Sequence, residues 1–356
     1  MSTGGPIFLP KEIVFETLSY LPVKSLLRFK CVCKHWNVIT QDFQFICLHY
    51  KRSPLIIDKK QRPPPLTRND NSTTGEDEFR PLCSRGLLLE CSRKKPSLRY
   101  NLRYRIRNPE VHHQILEIPD SPQSLISNMC IVFDPDYQVL KLLSFVYDLS
   151  GQELVFGYEF LDLHNEESRY SWRSLNLPQG NGGVTRNCAK IKVFSAMGIG
   201  YVIWDDDATN SSTIGIDILD MVNDSYIGQT STFRTSCNYT KDDCILWNGK
   251  LSFGKIVKEE LHVLVLEVYK KQKQIKWADV SVIIKLPFMR ELSALQEQIK
   301  VVQVHESKLL LFWWKNKDKD NEPLCAYDIM TGKVKISRRN RDFFNAIRRP
   351  CLLAFK

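Results

Sequence analysis

The chain has 356 residues, 43% of them hydrophobic, and 50 Lys and Arg against 40 Asp and Glu give a formal net charge of +10. This length is enough for a large domain with a small one attached. No apolar run is long enough for a membrane helix, and the first residues lack the features of a secretory signal, so we expect an intracellular protein of the cytoplasm or nucleus. The eleven cysteines are odd in number and scattered, which favours buried thiols over a disulfide framework.

Residues 8–50 carry helical periodicity. One apolar stripe at spacings of three and four is formed by Leu9, Ile13, Val14, Leu18 and Leu21. Pro10 and Pro22 each precede a helical run, where a missing N–H costs little. Apolar residues continue the pattern through a second and a third helix at Leu26, Leu27, Val32, Trp36 and Ile39. Three helices of this size bury too little between them, so a partner is expected to cover their apolar surface.

The segment contains a specific series of short motifs: Leu9-Pro10, Glu12-Ile13, Leu21-Pro22-Val23-Lys24-Ser25-Leu26-Leu27-Arg28-Phe29, Cys31-Val32-Cys33-Lys34 and Trp36. There the chain closely resembles the F-box of plant proteins, over about residues 8–50. The resemblance implies a three-helix module that binds the Skp-family adaptor of a cullin–RING ubiquitin ligase and, through it, the cullin and RING subunits. It assigns adaptor contact to Leu9, Pro10, Ile13, Leu18, Leu21, Pro22, Val23 and Leu26. Trp36 is expected to hold the helices together as much as to contact the adaptor.

Residues 51–80 are interpreted as a linker, because 59–79 contains three consecutive prolines and then a polar run. In residues 81–356, short β-like runs alternate with turn residues and group into five four-stranded modules. Their spacing is near the roughly 50 residues of a kelch-type propeller blade. The fold class is therefore α+β by segments: a small helical module, then a mainly antiparallel all-β domain. A β-propeller is favoured, with a twisted β-sandwich as the alternative because the repeat is weak.

Four short motifs in this second part are similar to those of the F-box-associated domain of plant F-box proteins. They are Ser84-Arg85-Gly86-Leu87-Leu88-Leu89, Arg107-Asn108-Pro109, Phe133-Asp134-Pro135-Asp136-Tyr137 and Ser171-Trp172-Arg173. The resemblance implies a kelch-like domain that binds a target protein, which would make the chain a non-catalytic substrate receptor without a cofactor. It does not indicate which target is bound.

Residues 102–107 alternate strictly between apolar and basic side chains. This pattern places Arg103, Arg105 and Arg107 on the solvent side of a half-buried strand. A solvated sheet face is the favoured interpretation. The alternatives are a patch that binds an acidic target protein and a stripe that binds nucleic acid.

Several residues could suggest other chemistry. Cys31, Cys33 and His35 could hold zinc, but side chains two apart on a helix point away from each other. The adjacent His112 and His113 are expected in a surface turn. An aromatic stacking platform at Phe312-Trp313-Trp314 and Trp204 is a minority interpretation. Because the sequence contains no known catalytic, phosphate-binding or metal-binding motif, no catalytic, cofactor or metal site is predicted.

Overall fold

The fold is described from a computed structural model. It describes residues 10–53, 56–57, 79–84, 87–93, 102–108, 115–120, 126–148, 155–164, 171–175, 191–205, 214–231, 239–240, 243–290, 299–305, 308–313, 322–339 and 347–348. The predicted Pro-rich loop falls almost wholly outside these residues. In the described part of the chain, no helix is long and apolar enough to cross a membrane.

The described chain begins with four short helices: α1 (Lys11–Ser19), α2 (Val23–Phe29), α3 (Lys34–Gln41) and α4 (Phe43–Arg52). Pro10 and Pro22 occupy the N-cap positions of α1 and α2, as predicted from their place before each apolar run. The expected number of three helices is wrong. The carboxylate of Asp42 accepts hydrogen bonds from the backbone N–H groups of Gln44 (2.8 Å) and Phe45 (3.2 Å), and this cap begins a fourth helix.

The rest of the described chain is mainly β structure, with two short 3₁₀ helices at Lys270–Gln272 and Pro287–Arg290. A two-stranded ladder joins β1 (Ile56–Ile57) to β23 (Ile347–Arg348). The first sheet is β2 (Phe79–Ser84), β3 (Leu88–Arg93), β4 (Leu102–Arg107) and β5 (Ile115–Glu117); the second is β6 (Ile126–Asp134), β7 (Val139–Asp148), β8 (Val155–Asp162) and β9 (Arg173–Leu175). The third is β10 (Lys192–Ala196), β11 (Ile199–Asp205), β12 (Ile214–Asp220) and β13 (Ser225–Ser231).

The fourth sheet is β14 (Cys244–Trp247), β15 (Lys250–Val257), β16 (Glu260–Tyr269) and β17 (Gln274–Trp277), with β18 (Val282–Lys285) added along β16. The fifth sheet is β19 (Ile299–His305), β20 (Lys308–Trp313), β21 (Glu322–Asp328) and β22 (Val334–Arg339). The five predicted modules are therefore present, the fourth with one strand more than expected.

The arrangement of these sheets is propeller-like. Within each sheet, strands that follow one another in sequence pair antiparallel. First strands of neighbouring sheets lie side by side at β2 and β6, at β6 and β10, and at β14 and β19. Five separate sheets repeated in this way match the blades of a propeller and not the two facing sheets of a sandwich, so the β-sandwich alternative is wrong.

Each sheet packs on the next through its own apolar cluster. One cluster joins the helices to the first two sheets, and a second joins the second sheet to the third. Two more join the third sheet to the fourth and the fourth to the fifth. The helices therefore share a continuous core with the β domain.

Candidate functional site

The helical module exposes several apolar side chains. The exposed fractions are 50% for Ile13 in α1, 66% for Tyr20 after it, 63% for Val32 between α2 and α3, and 65% for Val38 in α3. Such side chains on a module of four short helices leave apolar surface in water, which is typical of an interaction site. This surface is the candidate functional site.

The residues predicted to contact an adaptor are divided between the surface and the core. Pro10, Ile13 and Pro22 are exposed, and Leu21 is half-buried. Leu18, Val23 and Leu26 are between 0% and 4% exposed and belong to the core shared with the β domain. Their side chains hold the helices in place beneath the surface. Leu9 lies outside the described residues.

Trp36 packs inside the module. Its ring lies against that of Phe29, with 5.1 Å between the centroids, so it joins α3 to α2. The N terminus of α3 is capped by the Cys33 sulfur, which accepts a hydrogen bond from the Trp36 N–H at 3.4 Å.

The expectation that Cys31, Cys33 and His35 point apart on one helix is wrong in its premise. Cys31 and Cys33 lie in the loop between α2 and α3, because α2 ends at Phe29 and α3 begins at Lys34. Nevertheless, no group of three His, Cys, Asp or Glu side chains in the described part of the chain is arranged to hold a metal ion.

Helix α4 is fixed to the start of the module by polar contacts. The His49 Nε2 lies 2.8 Å from the carbonyl oxygen of Leu21. Burial lowers the pKa of His49, so the ring is neutral near pH 7 and Nε2 carries the proton that it donates. The Arg52 guanidinium pairs with Glu16 at 2.6 Å and lies 4.4 Å from the centre of the Tyr20 ring.

The same helix contacts the second sheet. The Tyr50 ring meets that of Phe133 at 4.6 Å between centroids, and the Phe43 ring stacks on that of His164 at 4.5 Å. The Lys51 ammonium group pairs with the Asp136 carboxylate at 2.5 Å. The helical surface is therefore held in a defined orientation relative to the β domain. Sequence reasoning missed these contacts because they join residues that are far apart in the chain.

The predicted arginine stripe is partly compensated by an acid. Tyr104 and Ile106 are buried, so the alternation was interpreted correctly. Glu90, 5% exposed, lies opposite Arg105 in the ladder, and its two oxygens bind Arg105 Nε at 2.7 Å and an Arg107 terminal nitrogen at 2.8 Å. The side chain of Arg103 is outside the described residues. This pairing offsets one of the positive charges that would otherwise be available for phosphate binding.

The aromatic platform is not supported at Trp204, which is 3% exposed and packs on Gly215. The side chain of Trp313 and the whole of Trp314 lie outside the described residues, as do His112 and His113.

Residues 8–48 match the family model of the F-box domain. The chain carries an F-box domain. Its helices and their exposed apolar side chains are those of a domain that generally binds Skp-type adaptors. This match agrees with the resemblance to the plant F-box that is carried by Leu9-Pro10, Leu21-Pro22 and the residues around them.

The proteins to which the chain is similar include F-box proteins of Arabidopsis thaliana. F-box protein At1g30790 is 24% identical over 210 residues, covering 49% of this chain and 50% of that protein. F-box protein At3g17710 is 47% identical over 45 residues, covering 13% of this chain and 12% of that protein. The chain thus spans half or less of the length of these curated relatives.

Among solved structures, the chain is similar to the β-propeller domain of the Trilobed protease from Pyrococcus furiosus. The identity is 10%, the TM-score is 0.38, and the match covers 74% of this chain and 85% of that one. The propeller-like arrangement of the chain follows from its own five sheets.

Proposed function

We propose that this chain is a substrate receptor of an SCF-type cullin–RING ubiquitin ligase. Its F-box binds a Skp-family adaptor, which links it to the cullin and RING subunits, and its β domain binds the target protein. The observation that carries the proposal is the F-box match over residues 8–48, together with the exposed apolar side chains of the same helices.

The proposed role requires no catalytic side chain in this chain. A receptor accelerates ubiquitin transfer by holding the target near the ubiquitin-carrying enzyme, which raises the effective concentration of target lysines. The orientation of the target then matters. The contacts of α4 with the second sheet support this role, since they fix the adaptor-binding helices relative to the target-binding domain. We place the protein in the cytoplasm or nucleus.

We propose adaptor contact for the residues of the predicted adaptor-binding group that are exposed, namely Pro10, Ile13 and Pro22. Ile13 is the main apolar side chain among them. Leu18, Val23 and Leu26 act by supporting the helices, because their side chains are buried. Truncation of a buried residue would lower adaptor binding through unfolding, so only exposed positions separate contact from support.

Co-purification tests the proposal. The wild-type chain, expressed with a Skp-family adaptor and a cullin, is expected to bring down both, and Ile13→Lys is expected to lose both without a change in thermal midpoint. Val280→Lys is the matched control, because Val280 is 78% exposed and lies in the loop between β17 and β18 of the fourth sheet, whereas the helices pack on the first two sheets. Adaptor binding by Ile13→Lys at the wild-type level would remove the contact assignment. Failure of the wild-type chain to bind any Skp-family adaptor would overturn the receptor proposal itself.

A further inference from the structure

A second exposed apolar surface lies on the β domain. Tyr137, Met197 and Val222 are 45%, 45% and 46% exposed, and they come from the turns after β6, β10 and β12. The turns lie close together: a Cβ placed on Gly198 would be 2.9 Å from Val222 Cγ2 and 3.0 Å from Tyr137 Cγ. We call these three side chains the turn patch.

The backbone at Met197 is unusual for its residue type. Met197 and Gly198 form a two-residue turn with φ angles of +56° and +67°. The corresponding turn of the fourth sheet is Asn248-Gly249, with φ angles of +48° and +73°. Asn-Gly is the favoured pair for such turns, whereas a residue such as methionine in the left-handed region costs about 1–2 kcal/mol.

Folding therefore favours asparagine at position 197, and the exposed methionine requires another explanation. Part of its side chain packs towards the neighbouring turn, where a Cβ on Gly249 would be 3.2 Å from Met197 Cγ. Nearly half of the side chain still faces solvent. An exposed apolar side chain in a strained backbone position is typical of a binding residue.

The rim of the turn patch is positively charged. The Lys270 ammonium group lies 5.4 Å from the centre of the Tyr137 ring and 3.3 Å from an oxygen of Asp220, which compensates it. Lys271 and Lys273 follow and are exposed, and no acid among the described residues pairs with either of them. Asp136, the acid next to Tyr137, is already paired with a lysine of α4. The two lysines that follow Lys270 in sequence thus leave uncompensated positive charge next to this contact.

We propose that the turn patch binds the target protein through a segment in which apolar side chains stand next to Asp or Glu. This proposal rests on the proposed receptor function. Tyrosine and methionine are enriched in the centres of protein interfaces, and charged rims select partners of opposite charge. Because Asp136 contacts α4, a segment bound at Tyr137 would lie on the side of the β domain that faces the F-box.

The test uses a phage-displayed library of random dodecapeptides, selected on the full chain bound to its Skp-family adaptor. Enriched peptides are expected to contain apolar residues next to Asp or Glu. A selected peptide, made synthetically, is expected to bind Met197→Asn at least about tenfold more weakly than wild type. Asparagine suits the turn, so the thermal midpoint of this variant is expected to equal or exceed that of wild type, and loss of binding then reports the lost contact.

Two further variants sharpen the test. Val280→Asn changes an equally apolar and more exposed side chain outside the patch, and it is expected to bind the peptide as wild type does. Lys271→Gln with Lys273→Gln is expected to weaken binding at low salt, with the difference shrinking as salt screens the charges.

Three results would overturn the proposal: no enrichment of acidic apolar peptides, a selected peptide that binds Met197→Asn as tightly as wild type, or loss of the adaptor in Met197→Asn, which would make the patch part of the adaptor interface. Adaptor binding by the wild-type chain is measured in the same preparations. Failure of the wild-type chain to bind the adaptor would count against the receptor function, whereas the peptide measurements test the turn patch independently.

Discussion

The Tyr50 ring in α4 meets the Phe133 ring in β6 edge-to-face, with 4.6 Å between the centroids and 68° between the planes. Phe133 is 4% exposed and belongs to the core that the helices share with the first two sheets. An aromatic pair of this geometry contributes roughly 0.5–1.5 kcal/mol beyond the burial of its surface. The contact makes the F-box and the start of the β domain one cooperative structure.

Tyr50→Ala is expected to lower the free energy of unfolding by about 1–3 kcal/mol, because it removes both the ring pair and apolar burial. Urea denaturation followed by circular dichroism measures the change. Tyr50→Phe is the matched control, since it keeps the ring and should stay within about 1 kcal/mol of wild type. If Tyr50→Ala is as stable as Tyr50→Phe, the ring pair does not hold the two parts together.

Acidification is expected to destabilise the helical module and its contact with the second sheet. Burial lowers the pKa of His49 in α4 and of His164, whose ring stacks on Phe43. In the unfolded chain both histidines titrate at about pH 6.5. Their contribution to stability is therefore complete above that pH and is lost as the pH falls through the lower pKa values of the folded state.

Thermal midpoints between pH 8 and pH 5 measure this effect. The wild-type midpoint is expected to fall on the acid side, and His49→Gln with His164→Gln is expected to flatten that part of the profile. If the thermal midpoint of the double variant falls with acid as much as that of wild type, groups other than these two histidines cause the loss of stability.

The parts of the fold that could be predicted depend on neighbours in sequence. Pro10 and Pro22 mark helix starts through a local backbone effect, and the alternation in β4 assigns Tyr104 and Ile106 to the core. The start of the fourth helix also depends on a local signal, the capping carboxylate of Asp42. The apolar pattern continues across Asp42 without a break, so the sequence did not indicate a new helix there.

The parts that could not be predicted depend on distant segments. Glu90 lies in a different strand from the arginines, and only the register that places it opposite Arg105 reveals the compensation. The exposed turn patch has the same origin, because Tyr137 and Val222 are far apart in sequence and meet only when the second and third sheets pack together.

Glu90→Gln is expected to lower the free energy of unfolding by about 1–3 kcal/mol, because the nearly buried carboxylate accepts charge-assisted hydrogen bonds from both Arg105 and Arg107. The estimate lies below that for a fully buried pair, since the arginine side chains are about a quarter exposed. Chemical denaturation measures the change.

The same variant separates the nucleic-acid hypothesis from the favoured one. The wild-type chain is expected to show little salt-sensitive binding to single-stranded RNA, and Glu90→Gln, with the arginines released, is expected to bind more. Strong wild-type binding that disappears when Arg105 and Arg107 are changed to Ser would favour the nucleic-acid function instead.

Close packing of the third sheet predicts a clear difference between two glycines. A Cβ on Gly215 would lie 2.2 Å from the ring of Trp204, which is buried and directly opposite in the ladder. A Cβ on Gly228 would lie 2.7 Å from the terminal methyl group of Ile275, which can rotate away. Gly215→Ala is therefore expected to cost about 1–3 kcal/mol of unfolding free energy, and Gly228→Ala clearly less. Denaturant midpoints of the two variants measure the difference, and equal midpoints would contradict the tight Trp204–Gly215 contact.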